Sequence, residues 1–204
     1  MNFETISKKY PLILASSSPR RKMLLAQIGL PFRTRPSDID ENEIAENRPA
    51  TAGYLAEKKA RAVSSGIKNH WILGADTLVV LGETVLGKPD DIDHAHAMLH
   101  QLGGKEHKVL TGFCLLDPSC RPVHSEEVTT NVRMKRLTEE EIKAYIDTGE
   151  PFGKAGGYAI QGIGAFMVEA ISGSYTNVVG LPICALIRAL LATGALKGFP
   201  IRRS

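Results

Sequence analysis

The sequence predicts an α/β protein built on a mixed twisted sheet with flanking helices. Three observations lead there. Apolar runs such as Leu12 to Ala15 and Trp71 to Leu81 read as buried strands. Segments with apolar residues at helical spacing fall between them. A tight turn at Gly82-Glu83 folds one strand back into Thr84 to Leu86, so hairpins are mixed with α/β crossovers and the sheet is not purely parallel.

The elements follow in order. After Leu12 to Ala15, Ser18 is placed as an N-cap and Pro19 as the first helical residue. Leu24, Leu25 and Ile28 recur at helical spacing, and Gly29 is the stop. Pro31 to Arg35 is a short strand, and Ser37 to Asn47 an acidic loop. A helix from about Pro49 to Ser65 carries an apolar stripe of Ala52, Leu55, Ala56 and Val63. Trp71 to Leu81 and Thr84 to Leu86 form the hairpin. Asp90 or Asp91 caps a helix with Ile92, Ala95, Leu99 and Leu102 inward, stopped at Gly103-Gly104. Strands are expected around Lys108 to Leu116 and Pro122 to Arg136. Thr138 with Glu141 makes a capping box for a helix ending near Gly149. Glu150 to Gly164 is a glycine-rich loop around a short strand, Phe166 to Ile171 is a strand, and a last buried helix has Pro182 near its start.

Composition narrows the functional classes. The chain has 204 residues, 43% hydrophobic and 23% charged, which suits a single domain, 1–204, with a proper core. A net charge of +3 is too weak for a nucleic-acid groove but suits a small anionic substrate. Cys114, Cys120 and Cys184 form no C-x-x-C pair and are expected as reduced core residues of a cytoplasmic protein. The apolar segment Val178 to Leu191 is too short to span a bilayer and contains Arg188, so no membrane association is expected. His70, His94, His96, His100, His107 and His124 lack a convincing ligand spacing and are expected at the surface. Neither a P-loop motif nor G-x-S-x-G is present.

Several residues nevertheless carry chemistry. Ser16, Ser17, Ser18, Arg20 and Arg21 arrive together at a helix N-terminus, where free N–H groups and the dipole favour an anion. The guanidiniums add a fork that matches phosphate oxygens. A capped helix with solvated arginines is the alternative. Asp76 lies inside an apolar strand, where a carboxylate is expensive without compensation. It is either held by backbone N–H groups in a bulge or works as a general base or metal ligand. Lys59 falls in the middle of its helix's inward stripe, so it either snorkels or reaches a negative partner. Lys88, fixed before Pro89, is a surface lysine or a groove cation. Asp40 and Glu41 offer oxygen ligands for Mg²⁺ or Mn²⁺, or are simply solvated. Gln161, among small residues, suits reading a base edge or capping a turn.

Taken in order, LILASSSPRRKMLL, LAEKKARAV, ILGADTLVVL, GKP, GEPFGKAGGYAIQGIGAFMV and GSYTNVVGLP resemble the Maf family of nucleoside triphosphate pyrophosphatases, from Leu12 to about Leu191. The resemblance implies a fold similar to the inosine triphosphate pyrophosphatases, with two lobes around a central groove. It implies hydrolysis between the α- and β-phosphates of a nucleotide, a divalent metal (Mg²⁺ or Mn²⁺) and a homodimer. By motif, Asp76 matches the proton acceptor and a metal-side carboxylate. Arg20, Thr77 and Gln161 match specificity positions. Ser16, Arg21, Lys59, Lys88 and Lys154 match polar positions around the phosphates, and Asp40 and Glu41 those around the metal. Asp76-Thr77 with Ile160-Gln161-Gly162 is similar to members taking dTTP and UTP. Gly153 stands where the family commonly has aspartate. Because Maf proteins are also linked to septum formation, a non-catalytic regulatory interaction protein is the rival expectation.

Overall fold

The computed structural model describes residues 3–37, 39, 51–67 and 69–201. Its strands are β1 (Leu12–Leu14), β2 (Phe32–Thr34), β3 (Ile72–Leu81), β4 (Thr84–Leu86), β5 (Glu106–Leu116), β6 (Pro122–Met134) and β7 (Val168–Ser172). Its α-helices are α1 (Pro19–Gln27), α2 (Ala52–Ser64), α3 (Ile92–Leu102), α4 (Glu139–Asp147), α5 (Tyr175–Val179) and α6 (Ile183–Ala192). The sheet order is β2-β1-β3-β5-β6-β7, with β4 paired to β3. β1 runs parallel to β2 and β3, whereas the β3–β4 and β6–β7 pairs are antiparallel. The sheet is therefore mixed, as the alternation of crossovers and hairpins requires.

The chain divides into two compact units. The first comprises Met1–Asp76, Thr111–Val128 and Gly180–Ser204; the second comprises Thr77–Leu110 and Thr129–Val179. In the first, Ile13, Ala15, Ala56, Ala60, Val63, Ile72, Cys114 and Leu116 form a core in which β1, β3 and β5 meet α2. Small residues on α2 allow this close packing. A Cβ on Gly74 of β3 would lie 2.0 Å from the Ala56 carbonyl oxygen, and one on Gly112 of β5 would lie 2.2 Å from the Ala52 carbonyl carbon. In the second unit, Leu99 and Leu102 of α3, Ile142 and Tyr145 of α4, and Val132 and Met134 of β6 share another core.

Local chemistry explains most element boundaries. Asp91, not Asp90, caps α3 by accepting the His94 N–H. Thr138 and Glu141 form the full capping box of α4. Gly82 turns the hairpin at φ +61. α2 begins later than expected because Thr51 is its cap, accepting the Tyr54 N–H. Ser18 occupies the N-cap of α1, but its side chain makes no capping hydrogen bond.

Other expectations are corrected. Ile92 is 62% exposed as the first residue of α3, and Met98 takes the inward position instead. The segment Glu150 to Gly164 holds no strand. Gly156 and Gly157 take positive φ inside a 3₁₀ turn at Ala155–Gly157, and a second turn spans Ile163–Met167. The expected last helix is two helices, because Gly180 adopts φ 118 and Pro182 starts a new one. Among the cysteines, Cys114 is buried, Cys120 half-buried and Cys184 exposed, all as free thiols. His107 is buried, because it lies two residues from inward Val109 on β5 and so shares its face. Among the described residues no helix is long and apolar enough to cross a membrane.

Candidate active site

In the first unit, β1 delivers the chain to the start of α1. Leu12 and Leu14 are fully buried, so the strand end is fixed in the core. Ser16 Oγ accepts the Ser18 N–H at 3.2 Å and Arg21 Nη1 at 3.1 Å. Arg21 Nε donates to the Gly180 carbonyl at 2.8 Å. Arg21 is thus a buried guanidinium that ties this turn to the entrance of α6, rather than a solvated cation. Arg20 is half-buried beside it. Ser18 makes no side-chain capping hydrogen bond, and the N-terminal end of a helix carries a positive dipole end that favours an anion.

The second component of this unit is the Lys59–Asp76 pair. Gly74 and Asp76 are two apart on β3 and so face the same side of the strand. Ala56, Lys59 and Ala60 share one face of α2. Glycine at 74 lets the helix backbone settle against the strand, and the same approach carries Lys59 Nζ to 2.5 Å from Asp76 Oδ1. Both side chains are 9% exposed. Two charges so withdrawn from water must compensate each other, because an isolated one would cost several kcal/mol. The inward lysine therefore reaches a negative partner and does not snorkel.

The second unit holds the remaining sequence-predicted residues. Thr77 follows Asp76 on β3 and projects to the opposite strand face, half-buried. Lys88 is exposed, ahead of buried Pro89. Lys154 Nζ donates to the carbonyl oxygen of Glu150 and, at 3.4 Å, to that of Phe152, so it fastens its own loop. Gly153 in this loop adopts φ +72, a conformation that other residues enter at a cost. Gln161 is half-buried between the two 3₁₀ turns.

Two pairs of residues around that loop, Tyr145 with Glu150 and His107 with Tyr158, were not assigned a role from the sequence. Glu150 accepts the Tyr145 hydroxyl at 2.8 Å, the Ile163 N–H at 3.0 Å and the Gly164 N–H at 2.8 Å. Burial works to raise the Glu150 carboxyl pKa, but hydrogen bonds from Gly164, Tyr145 and Ile163 and the Lys154 charge outweigh it and hold it below the usual range. Burial and the adjacent Glu150 carboxylate push the Tyr145 phenol upward. His107 Nε2 lies 2.8 Å from the Tyr158 hydroxyl, and burial lowers its pKa to about 4. The signals were present but faint: an acidic residue opening a glycine-rich loop, and a histidine in register with an inward valine.

Asp40 and Glu41 lie outside the described residues. Among the described residues no three histidine, cysteine or carboxylate side chains gather into a metal-holding group. Mg²⁺ is commonly held by one or two carboxylates together with substrate phosphates. Asp76 fits that arrangement as a single oxygen donor.

The mixed sheet with its flanking helices makes the chain an α/β protein, and its first unit holds both a buried carboxylate–ammonium pair and a serine- and arginine-bearing helix start. The profile of Maf-like proteins matches residues 11–193, and the chain belongs to the Maf family. It is 49% identical over 191 residues to the dTTP/UTP pyrophosphatase of Syntrophotalea carbinolica, covering 92% of this chain and 87% of that one. It is 51% identical over 174 residues to the dTTP/UTP pyrophosphatase of Ruminiclostridium cellulolyticum, covering 84% and 90% respectively. Among solved structures, a nucleoside-triphosphatase, dITP/XTP pyrophosphatase, of Mycobacterium abscessus aligns over 94% of this chain and 100% of that one, at 16% identity and a TM-score of 0.45. That likeness is too slight to bear on function.

Proposed function

We propose that this chain is a nucleoside triphosphate pyrophosphatase that hydrolyses dTTP and UTP at the α–β phosphoanhydride bond, yielding the monophosphate and pyrophosphate. The observation that carries the reading is the buried Lys59–Asp76 pair at 2.5 Å, on the motif where the family resemblance places the proton acceptor. The names of the relatives support the same substrates.

In this reading Lys59 holds Asp76 Oδ1 and so fixes the carboxylate plane. The other carboxylate oxygen then accepts a proton from the attacking water. Arg20 and the first-turn amides of α1 take phosphate oxygens, while Ser16 and Arg21 hold that turn in shape. Lys88 and Lys154 add positive charge that favours the departing pyrophosphate. A divalent cation, Mg²⁺ or Mn²⁺, bound with the triphosphate and held by Asp76, with Asp40 and Glu41 as further candidates, would neutralise phosphate charge. Positioning and electrostatics supply most of the acceleration in such a reaction. Thr77 and Gln161 contact the pyrimidine, and a site built on base-edge hydrogen bonds rejects bases that leave its own groups unpaired.

The working form is a cytoplasmic homodimer acting on a small nucleotide and not on nucleic acid. Three free, scattered cysteines suit a reducing compartment. The rival expectation of a purely regulatory protein gains nothing from relatives that are named as enzymes. The test is a panel of canonical and modified nucleotides with Mg²⁺ or Mn²⁺, scoring pyrophosphate against orthophosphate. Pyrophosphate released preferentially from dTTP and UTP is expected; orthophosphate as the primary product would mean a different bond is cut. Substitution of Thr77 or Gln161 should change the ranking of nucleotides more than the melting temperature. An unchanged ranking in both variants would refute base reading by these residues.

A further inference from the structure

We propose that Tyr145 and Glu150 are positioning residues for nucleobase selection: together they clamp the segment from Tyr158 to Gly164 on both sides of Gln161. This deepens the functional reading above and rests on it. The Ala159 N–H, two residues before Gln161, donates to the Tyr145 hydroxyl oxygen at 3.2 Å. That hydroxyl donates in turn to Glu150 Oε2 at 2.8 Å. The same carboxylate accepts the Ile163 N–H on Oε1 at 3.0 Å and the Gly164 N–H on Oε2 at 2.8 Å. One phenol and one carboxylate therefore gather amides from before and after the glutamine.

The glycines of the loop are shaped to this clamp. A Cβ on Gly162 would stand 1.9 Å from Glu150 Oε1, and one on Gly164 would stand 2.7 Å from the Tyr145 hydroxyl. The residue directly after Gln161 is thus small because the carboxylate occupies the space. The clamp is itself anchored. Tyr145 is 1% exposed in the core with Met134 and Ile142, and Tyr158 at the head of the loop bonds to buried His107. The hydrogen bonds that keep the Glu150 carboxyl below its ordinary range favour its charged form, which is the stronger acceptor. Side chains that must read a base edge need their backbone held to about 0.5 Å. A glycine-rich segment with little helix or strand of its own depends on such bonds for that precision.

Tyr145→Phe keeps the ring in the core and removes only the hydroxyl. Glu150→Gln keeps the shape but places an amide where two N–H groups and a phenol need acceptors. Pyrophosphate release is measured for dTTP, UTP, CTP and GTP, with amide exchange followed in the ligand-free protein. Each variant should raise KM for dTTP and UTP about tenfold, the scale of one lost charge-assisted hydrogen bond, and lower their preference over CTP by a similar factor. kcat should move less than about threefold, since the transition-state groups are untouched. In a Gln161→Ala background the same changes should alter selectivity less than about twofold, because their effect runs through Gln161. Exchange at Ala159, Ile163 and Gly164 should accelerate about tenfold or more.

A uniform fall in kcat across all four nucleotides with preference intact would overturn the proposal. So would full additivity with Gln161→Ala, or unchanged exchange at those amides. If Glu150→Gln fails to fold, Tyr145→Phe decides alone. A wild-type protein that releases no pyrophosphate from any of the four would instead defeat the functional reading. A selective wild type whose selectivity survives both substitutions defeats only the clamp.

Discussion

Replacing Lys59 with methionine is the most revealing perturbation of the ion pair. The methionine fills nearly the same space on α2, but Asp76 loses the ammonium that is paired with its buried carboxylate. Its side chain is 9% exposed, so solvent offers little relief. Removing one member of a buried pair costs about 3–5 kcal/mol, most of it the desolvation of the charge left behind. For a chain of this size each kcal/mol lowers Tm by about 2–4 °C, so Lys59→Met should melt roughly 6–20 °C below wild type. The double variant Lys59→Met with Asp76→Leu removes both charges. A buried pair replaced by apolar side chains is often neutral or stabilising, by about 1–4 kcal/mol. Most of the lost Tm should therefore return. Thermal melts of wild type, the single variant and the double variant at neutral pH, checked by urea unfolding, measure this directly. A single variant within about 2 °C of wild type, or a double variant as unstable as the single, would refute the argument that desolvation binds these two residues together.

Two further outcomes follow from the packing and the buried histidine. Gly74→Ala puts a methyl 2.0 Å from the Ala56 carbonyl and 2.8 Å from the Ala60 nitrogen, so α2 must withdraw from β3. Urea unfolding should show a loss of at least about 1–3 kcal/mol, and activity should fall with it because Lys59 moves away from Asp76. His107 has an ordinary value of 6.5 in the unfolded chain and about 4 in the fold, so the unfolded state binds more protons between these values. Its contribution is fully present above pH 6.5 and is lost as pH falls toward 4, a change of about 3 kcal/mol across that window. Stability-versus-pH curves should show this acid limb in wild type and a shallower one in His107→Gln; identical curves would assign the limb to other groups.

How far the sequence discloses the molecule differs from element to element. β3 and its hairpin were legible because an apolar run meets Gly82, whose positive φ the turn requires. α4 was legible because its capping box is purely local. The division of the C-terminal apolar segment was not, since its composition is continuous and only the Gly180 backbone and Pro182 break it. Helical phase placed Lys59 inward, but the identity of its partner depends on Gly74 admitting the helix to the strand. The Glu150 clamp joins residues across a loop whose glycines hide any periodicity. His107 was misjudged as a surface residue although the alternation of β5 sets it beside inward Val109.

In the proposed reaction Asp76 is the group that takes the proton during anhydride cleavage. Its most direct test is single-turnover pyrophosphate release from dTTP by Asp76→Asn, alongside nucleotide binding by the same variant. Asparagine retains an oxygen for Lys59 but accepts protons poorly, so binding should persist while the rate falls at least about 100-fold. Release at a rate near that of wild type would remove Asp76 from the reaction.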